Sequence, residues 1–340
     1  MSKVTVIGAG IIGLYTTYLL TERGIEGKNI KIVAEFLPGD QSIKYASPYA
    51  GAYFSACIDE EHLPYSRYTY ENLDKLKAKL GPTPGIGNVY STEYLDEIPD
   101  DSYLAKIKDF VEDYELVEPP AYLKTAKVGV RYKAFVFNSP LLISNLLEYL
   151  KSIGVTVERK KINHINDAFK ENDADLVFNC SGTGSMTLGG VEDPKSFPTR
   201  GQVVVIRAPH IKECVSLWDD ASTYIIKRPD SINHEVILGG FYQAGNFDAN
   251  TYGFETEDIL RRTTQLFPKL LEDNETGNTI KDLQILRVVA GARPGREGGV
   301  RIEKEVTNTG TIVHNYGASG SGYLCGLGMS SKAVDLVIKS

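Results

Sequence analysis

Six residues near the start of the chain, Gly8-Ala9-Gly10-Ile11-Ile12-Gly13, have the spacing of a turn that cradles phosphate. Gly8 permits the tight turn, Gly10 lets a pyrophosphate reach the backbone, and Gly13 allows a helix to pack closely on a strand. A helix starting there offers free N–H groups and partial positive charge to an anion. Glu35 follows at about the 20-residue interval expected of a carboxylate that takes ribose hydroxyls. A second run of small residues, Gly317-Ala318-Ser319-Gly320-Ser321-Gly322, stands before Tyr323 and lets backbone approach a flat or charged group. The first motif alone does not separate NAD from FAD. Two glycine-lined helix starts suit a flavin dinucleotide, because one can meet its pyrophosphate and the other its ring. A glycine turn packed against core is the plainer account of each.

The third feature is Gly291-Ala292-Arg293-Pro294-Gly295-Arg296, an arginine at the end of an apolar run. Such an arginine is costly to bury without an anionic partner. A carboxylate ligand held bidentately is one solution, and a structural salt bridge is another. Tyr224 and Tyr242 are read onto the two strands of a hairpin, facing one cleft if even residues pair, with core packing as the alternative. The twenty tyrosines make a tyrosine-lined pocket a reasonable expectation. Cys57, Cys180, Cys214 and Cys325 are scattered and the histidines are not paired at ligand spacing, so reduced thiols and no metal site are expected.

The elements that must position these residues are legible in part. Lys3 to Ile7 reads as a strand, Leu14 to Glu22 as a helix and Ile30 to Ala34 as a second strand, a βαβ unit. Residues 56–135 read as acidic helical stretches and turns. Ser139 and Pro140 are expected as N-cap and first residue of a helix reaching Ser152. Val155 to Glu158 and Leu176 to Asn179 read as strands, the latter entering Cys180-Ser181-Gly182-Thr183-Gly184. Val203 to Ile206, Thr223 to Lys227, Val236 to Leu238 and Leu283 to Val289 suggest an antiparallel sheet, with a helix over Glu255 to Phe267. Thr311 to Val313 is a strand before the last glycine run and a helix to about Lys339. The expected fold is mixed α/β (α+β): a Rossmann-like nucleotide domain from residues 1–55, 138–190 and 290–340, and an interrupted substrate domain on an antiparallel sheet from 56–137 and 191–289. A net charge of −7 argues against nucleic acid as a partner. No apolar run approaches the roughly 18 residues of a membrane helix.

Taken together, these segments resemble the D-amino acid oxidase family, its fungal members most. The resemblance runs through Val6 to Leu14, Ala46-Ser47-Pro48-Tyr49-Ala50-Gly51, Asn179 to Gly182, Arg200-Gly201-Gln202, Tyr224-Ile225-Ile226, Gly239-Gly240, Gly291 to Pro294 and His314-Asn315-Tyr316-Gly317. It implies non-covalent FAD, a D-amino acid substrate and dioxygen as acceptor. Arg293 matches the arginine that grips the substrate carboxylate, counted among the flavin contacts as well; Tyr242 matches a second carboxylate contact and Tyr224 a tyrosine of the same pocket. Ser47, Ala50, Gly51, Ala52, Ser181 and Gly182 match flavin-contacting positions. Gly317, Ser319, Gly320, Ser321, Gly322 and Tyr323 match the loop at the flavin ring and substrate amine; at Gly320 some yeast members have serine, so only backbone can act there.

The resemblance implies that the amine binds neutral and that the α-hydrogen leaves as hydride, with no protein base required. It places His314 beside the flavin loop. Acid-specific relatives, the D-aspartate oxidases, add an arginine near the place of Tyr242, so neutral substrates are expected unless Arg228 or Arg296 reaches in. A glycine or sarcosine oxidase, or a non-catalytic flavin-binding protein, are further alternatives. The family implies a peroxisomal location, although the chain ends Val337-Ile338-Lys339-Ser340 without the usual tripeptide; the cytoplasm is the alternative, and a homodimer is left open.

Overall fold

A computed structural model of the chain describes residues 3–219 and 221–338. The chain begins β1 (Val4–Ile7), α1 (Ile11–Glu22), β2 (Ile30–Ala34), α2 (Leu63–Lys79), β3 (Ile86–Leu95), α3 (Asp101–Lys108), β4 (Glu112–Val117) and β5 (Val128–Phe137). α4 (Ser139–Ser152), β6 (Thr156–Arg159), α5 (Asp167–Lys170) and β7 (Leu176–Asn179) follow. Next come β8 (Ser196–Arg207), β9 (Cys214–Trp218), β10 (Thr223–Lys227), β11 (Glu235–Gly239), β12 (Gln243–Ala244), α6 (Gly253–Leu266) and α7 (Lys269–Glu272). The last elements are β13 (Gln284–Arg296), β14 (Arg301–Val306), β15 (Thr311–Tyr316) and α8 (Gly322–Asp335).

The strands form two sheets. The first has the order β14-β15-β7-β1-β2-β6 and is parallel except at its β14 edge. Every residue of β1 is buried, as the central strand of a covered parallel sheet should be. α1 lies between this sheet and α8, which explains why it is apolar on nearly all sides rather than along one stripe. Small residues let α8 approach that closely. A Cβ on Gly326 would stand 2.8 Å from Ile12 Cδ1, and one on Gly328 would stand 2.2 Å from the Tyr65 carbonyl oxygen in α2. The Thr16 hydroxyl donates to Ser330 Oγ at 3.0 Å across the α1–α8 contact.

The second sheet has the order β12-β8-β11-β10-β9-β3-β5-β4, with β13 also paired to β8. Its strands show the two-residue period of a sheet covered on both faces. Val204, Ile206, Ile225, Val236 and Leu238 pack on Ile259 and Leu260 of α6. Val203, Val205, Tyr224, Ile226 and Ile237 face the other way, against Tyr53 and Val136.

Several expectations need correction. Residues 86–95, 112–117 and 128–137 are strands, not helix and turn; β4 alternates poorly because most of it is exposed, and β3 alternates only over its first half. The N-cap of α4 is Asn138, and the Ser139 hydroxyl instead donates to the Ala50 carbonyl at 2.6 Å. β13 continues to Arg296 because β8 starts as early as Ser196 and pairs it throughout, so Arg293 lies within a strand opposite Thr199. α8 is helical to Asp335 rather than to about Lys339, which lies outside the described residues. All four cysteines are free thiols.

The tightest joint is between β1 and α1. A Cβ on Gly13 would stand 2.0 Å from the Gly8 carbonyl oxygen, and one on Gly8 would stand 2.5 Å from the Cys180 carbonyl oxygen. Both obstacles are backbone. Gly13→Ala is expected to destabilise by about 1–3 kcal/mol, despite the ~1 kcal/mol that alanine gains as a helix former. Urea unfolding should show a lower midpoint at unchanged slope; a wild-type midpoint would mean that the joint opens freely.

Candidate active site

A cleft of about 890 Å³ runs from the open ends of β1 and β2 to the concave face of the second sheet. At one end lie Gly8, Ala9, Gly10, Ile11 and Ile12, with Glu35 beyond them. Gly8 takes φ +104°, the left-handed conformation that the tight turn requires. Gly10 is the N-cap of α1 in extended conformation. The amide of Ile11 donates to Ser47 Oγ at 2.9 Å, so a hydroxyl meets the helix start where an anion's oxygen would also be favoured. Gly13 does not line the cleft; its role is the helix–strand joint described above. Ala50, Gly51, Ala52, Ser181, Gly182, Gly317, Ser319, Gly320, Ser321, Gly322 and Tyr323 line the middle. Tyr323 Oη donates to the Ser47 carbonyl at 2.9 Å, and Tyr45 Oη to the Ala9 carbonyl at 2.8 Å, so phenols tie the two glycine-rich segments to one loop.

At the far end stands Arg293. Its Nη1 donates to the Phe241 carbonyl at 2.9 Å, its Nη2 to Tyr224 Oη at 3.5 Å, and its guanidinium lies 4.2 Å from the centre of the Tyr242 ring. Among the described residues no carboxylate approaches Arg293 within 4.0 Å, which removes the structural salt bridge. The hairpin reading holds for Tyr224 alone, which pairs with Gly239. Tyr242 lies beyond the end of β11, 48% exposed, and reaches the same place from the following turn. Burial pushes the Tyr224 phenol above its ordinary value, with Arg293 opposing. Gly320 comes close as well: a Cβ there would stand 3.1 Å from Tyr242 Oη.

The other arginines are engaged. Arg228 Nη1 bonds Glu235 Oε2 at 2.8 Å, and Arg296, although it lines the cleft, bonds Asp193 Oδ2 through Nε at 2.8 Å. His314 does not line the cleft; it is buried between Asn179 and Glu305, and burial pushes its basicity down. Sequence reasoning missed Tyr45, Tyr49, Tyr53 and Trp218 in the walls, and His62 with Asp59 bonded at 2.5 Å. Only the abundance of tyrosine hinted at the first three. Trp218 donates from Nε1 to the buried Glu93 carboxylate at 2.7 Å, a link between paired strands far apart in sequence that no local pattern reveals.

A sequence profile described as FAD dependent oxidoreductase matches residues 3–336. The chain belongs to the FAD-dependent oxidoreductase family. A D-amino-acid oxidase of Schizosaccharomyces pombe is 36% identical to it, over 98% of this chain and 96% of its own length. A D-aspartate oxidase of Cryptococcus neoformans var. grubii is 26% identical, over 99% and 97%. The glycine oxidase from Geobacillus kaustophilus shares the fold, with a TM-score of 0.76 at 18% identity over 99% of this chain and 94% of that one.

FAD is the cofactor of the family, and the cleft fits it. Ser181 Oγ is buried in the cleft wall with no hydrogen-bond partner among the described residues, a hydroxyl that a ligand would satisfy. A Cβ on Gly10 would stand 3.0 Å from Ser47 Oγ, closing the approach to the helix start of this oxidoreductase. No helix among the described residues is long and apolar enough to cross a membrane.

The Gly317 turn of this family member rests on an ion pair. A Cβ on Gly317 would stand 2.9 Å from Arg296 Cβ, and Asp193, which holds Arg296, also accepts from Tyr316 Oη at 2.8 Å. Burial pushes the Asp193 carboxyl up, yet Arg296, Tyr316 and the Lys195 amide outweigh it and hold it at about 2. A depressed carboxyl contributes stability above its unfolded value and loses it as pH falls through the folded one. Asp193→Asn is therefore expected to melt below wild type at neutral pH, with the gap closing from about pH 4 down to about 2. A melting-temperature gap that stays constant across that window would remove Asp193 as its source.

Proposed function

We propose that this oxidoreductase converts neutral D-amino acids to imino acids, which hydrolyse to 2-oxo acids and ammonia while dioxygen is reduced to hydrogen peroxide. The observation that carries the reading is Arg293: a half-buried guanidinium without a carboxylate partner, between two tyrosines, in the cleft that also holds both glycine-lined helix starts. A substrate carboxylate is the anion that this fork fits. Tyr242 and Tyr224 supply phenols beside it, and the backbone at Gly320 faces the same space. With the carboxylate gripped at Arg293, the α-carbon is turned toward the segment Gly317 to Tyr323.

FAD would be held by the α1 start with Ser47, by Glu35 at its ribose, by Ala50, Gly51, Ala52, Ser181 and Gly182, and by the Gly317 turn. When bound, it supplies the two-electron acceptor that the oxidation needs. The chain's own part is to orient the substrate and exclude water, and among the described residues no carboxylate lies within 4.0 Å of Arg293 to act as a base there. We further propose the division into a flavin part (residues 1–55, 138–190 and 290–340) and a substrate part (56–137 and 191–289), with peroxisomal residence and a homodimer carried forward from the family.

Oxidation of D-aspartate is the second reading, favoured by the relative of that name. Against it, Arg228 and Arg296 are already paired, so neither is free to take a second substrate carboxylate. Burying an unpaired carboxylate costs several kcal/mol, so kcat/KM for D-alanine should exceed that for D-aspartate by about a hundredfold. Comparable values would put the aspartate reading first.

The clamp itself is tested at Arg293. Arg293→Leu removes charge and fork together and is expected to lower kcat/KM by about 2–5 kcal/mol. Arg293→Lys keeps the charge without the planar fork and should fall between leucine and wild type. Flavin content and melting temperature are measured on the same samples. A fully flavin-loaded Arg293→Leu protein with wild-type KM and kcat would end the carboxylate assignment.

A further inference from the structure

Gly201, on β8, has a strand-type backbone and no positive φ, so glycine is not required there for conformation. A glycine in a strand weakens it, and this one sits beneath Arg293. A Cβ added to it would stand 2.3 Å from Arg293 Nη1 and 2.8 Å from both Cζ and Nη2. The guanidinium therefore lies flat on the bare backbone of the neighbouring strand, two pairs along from its own Cα, because Gly201 pairs with Gly291 and Arg293 with Thr199.

The residues on either side of Gly201 point to the opposite face and pin β8 there. Arg200, fully buried, bonds both oxygens of Glu255 at 3.0 Å, Gln243 Oε1 at 2.6 Å and the Asp248 carbonyl at 2.8 Å. Gln202 donates to the Tyr252 carbonyl and to Thr256 Oγ1, each at 3.0 Å. β8 is thus held by α6 and the segment before it, while Arg293 ends in a flexible side chain. Anything added at position 201 displaces the guanidinium and not the strand.

We propose that Gly201 is a positioning residue for the carboxylate clamp: its missing side chain sets where the Arg293 fork lies. The inference rests on the reading of Arg293 given above. It is tested with the FAD-loaded full chain as Gly201→Ala, Arg293→Gln and the double variant, with steady-state kinetics on D-alanine. Gly201→Ala should keep its flavin and melt within about 2 °C of wild type, while kcat/KM falls about tenfold to a hundredfold, the effect of misplacing a binding group by about 1 Å. Arg293→Gln removes the atoms that the new methyl meets, so adding Gly201→Ala to it should change kcat/KM by no more than about twofold. Multiplying effects in the double variant, loss of flavin or a large drop in melting temperature in Gly201→Ala would overturn the proposal. Wild-type kinetics in Gly201→Ala with a crippled Arg293→Gln would overturn it and leave the clamp standing. Wild-type KM in Arg293→Gln would remove the clamp itself.

Discussion

A guanidinium withdrawn from water needs its donors and charge satisfied, and the second sheet is arranged to do this for Arg293 without a carboxylate. One donor goes to the Phe241 carbonyl and another to the Tyr224 hydroxyl, while the Tyr242 ring covers one flat face. These partners stabilise the cation without neutralising it. They in turn depend on backbone stripped of side chains: the Tyr224 ring occupies the space where a Cβ of Gly239 or Gly240 would stand, at 2.3 and 2.6 Å. Arg262 of α6 holds that turn from the other face, donating to the Gly240 carbonyl at 2.9 Å and to Thr223 Oγ1 at 2.6 Å.

The segment from Tyr45 to Phe54 joins this cation to the helix starts. Ser47 meets the α1 amide, a Cβ of Gly291 would come within 2.8 Å of the Tyr49 Cβ, and Tyr53 donates to Ser216 Oγ at 3.0 Å in β9. Phe54 then pairs with β5, its amide donating to the Phe135 carbonyl at 2.7 Å. One stretch of chain therefore spans both sheets, and the spacing between the two ends of the cleft is set by covalent geometry as much as by packing.

How much of this was legible in the sequence follows from the range of the interactions. Gly8, Gly10 and Gly13 act within a few residues of one another, so their spacing carries the meaning, and the βαβ unit stands where it was expected. Arg293 was legible as an anomaly, a charge in an apolar run, but its freedom from a salt bridge depends on residues far along the chain. β3, β4 and β5 were not legible, because β4 is mostly exposed while β3 and β5 mix buried and half-buried positions, which leaves neither clean alternation nor a continuous apolar run. Tyr242 was assigned the right neighbourhood on the wrong element: β11 ends at Gly239, and only the fold shows that the next turn doubles back. Gly201 looked like one residue of a matching tripeptide. Its meaning appears when a strand from residues 284–296 is laid beside it.

The contact between α1 and α8 also has a bearing on how the molecule is made. Thr16 and Ser330 touch although 314 positions separate them, and β15, which completes the parallel sheet beside β7, comes only just before α8. During synthesis α1 leaves the ribosome apolar on nearly every side, well before the helix that covers it is translated. Until then that surface is available to other chains. Contacts this distant in sequence also form slowly once translation ends. The helix that follows the opening glycine turn therefore has its full cover only once a partner 314 positions further on has been made.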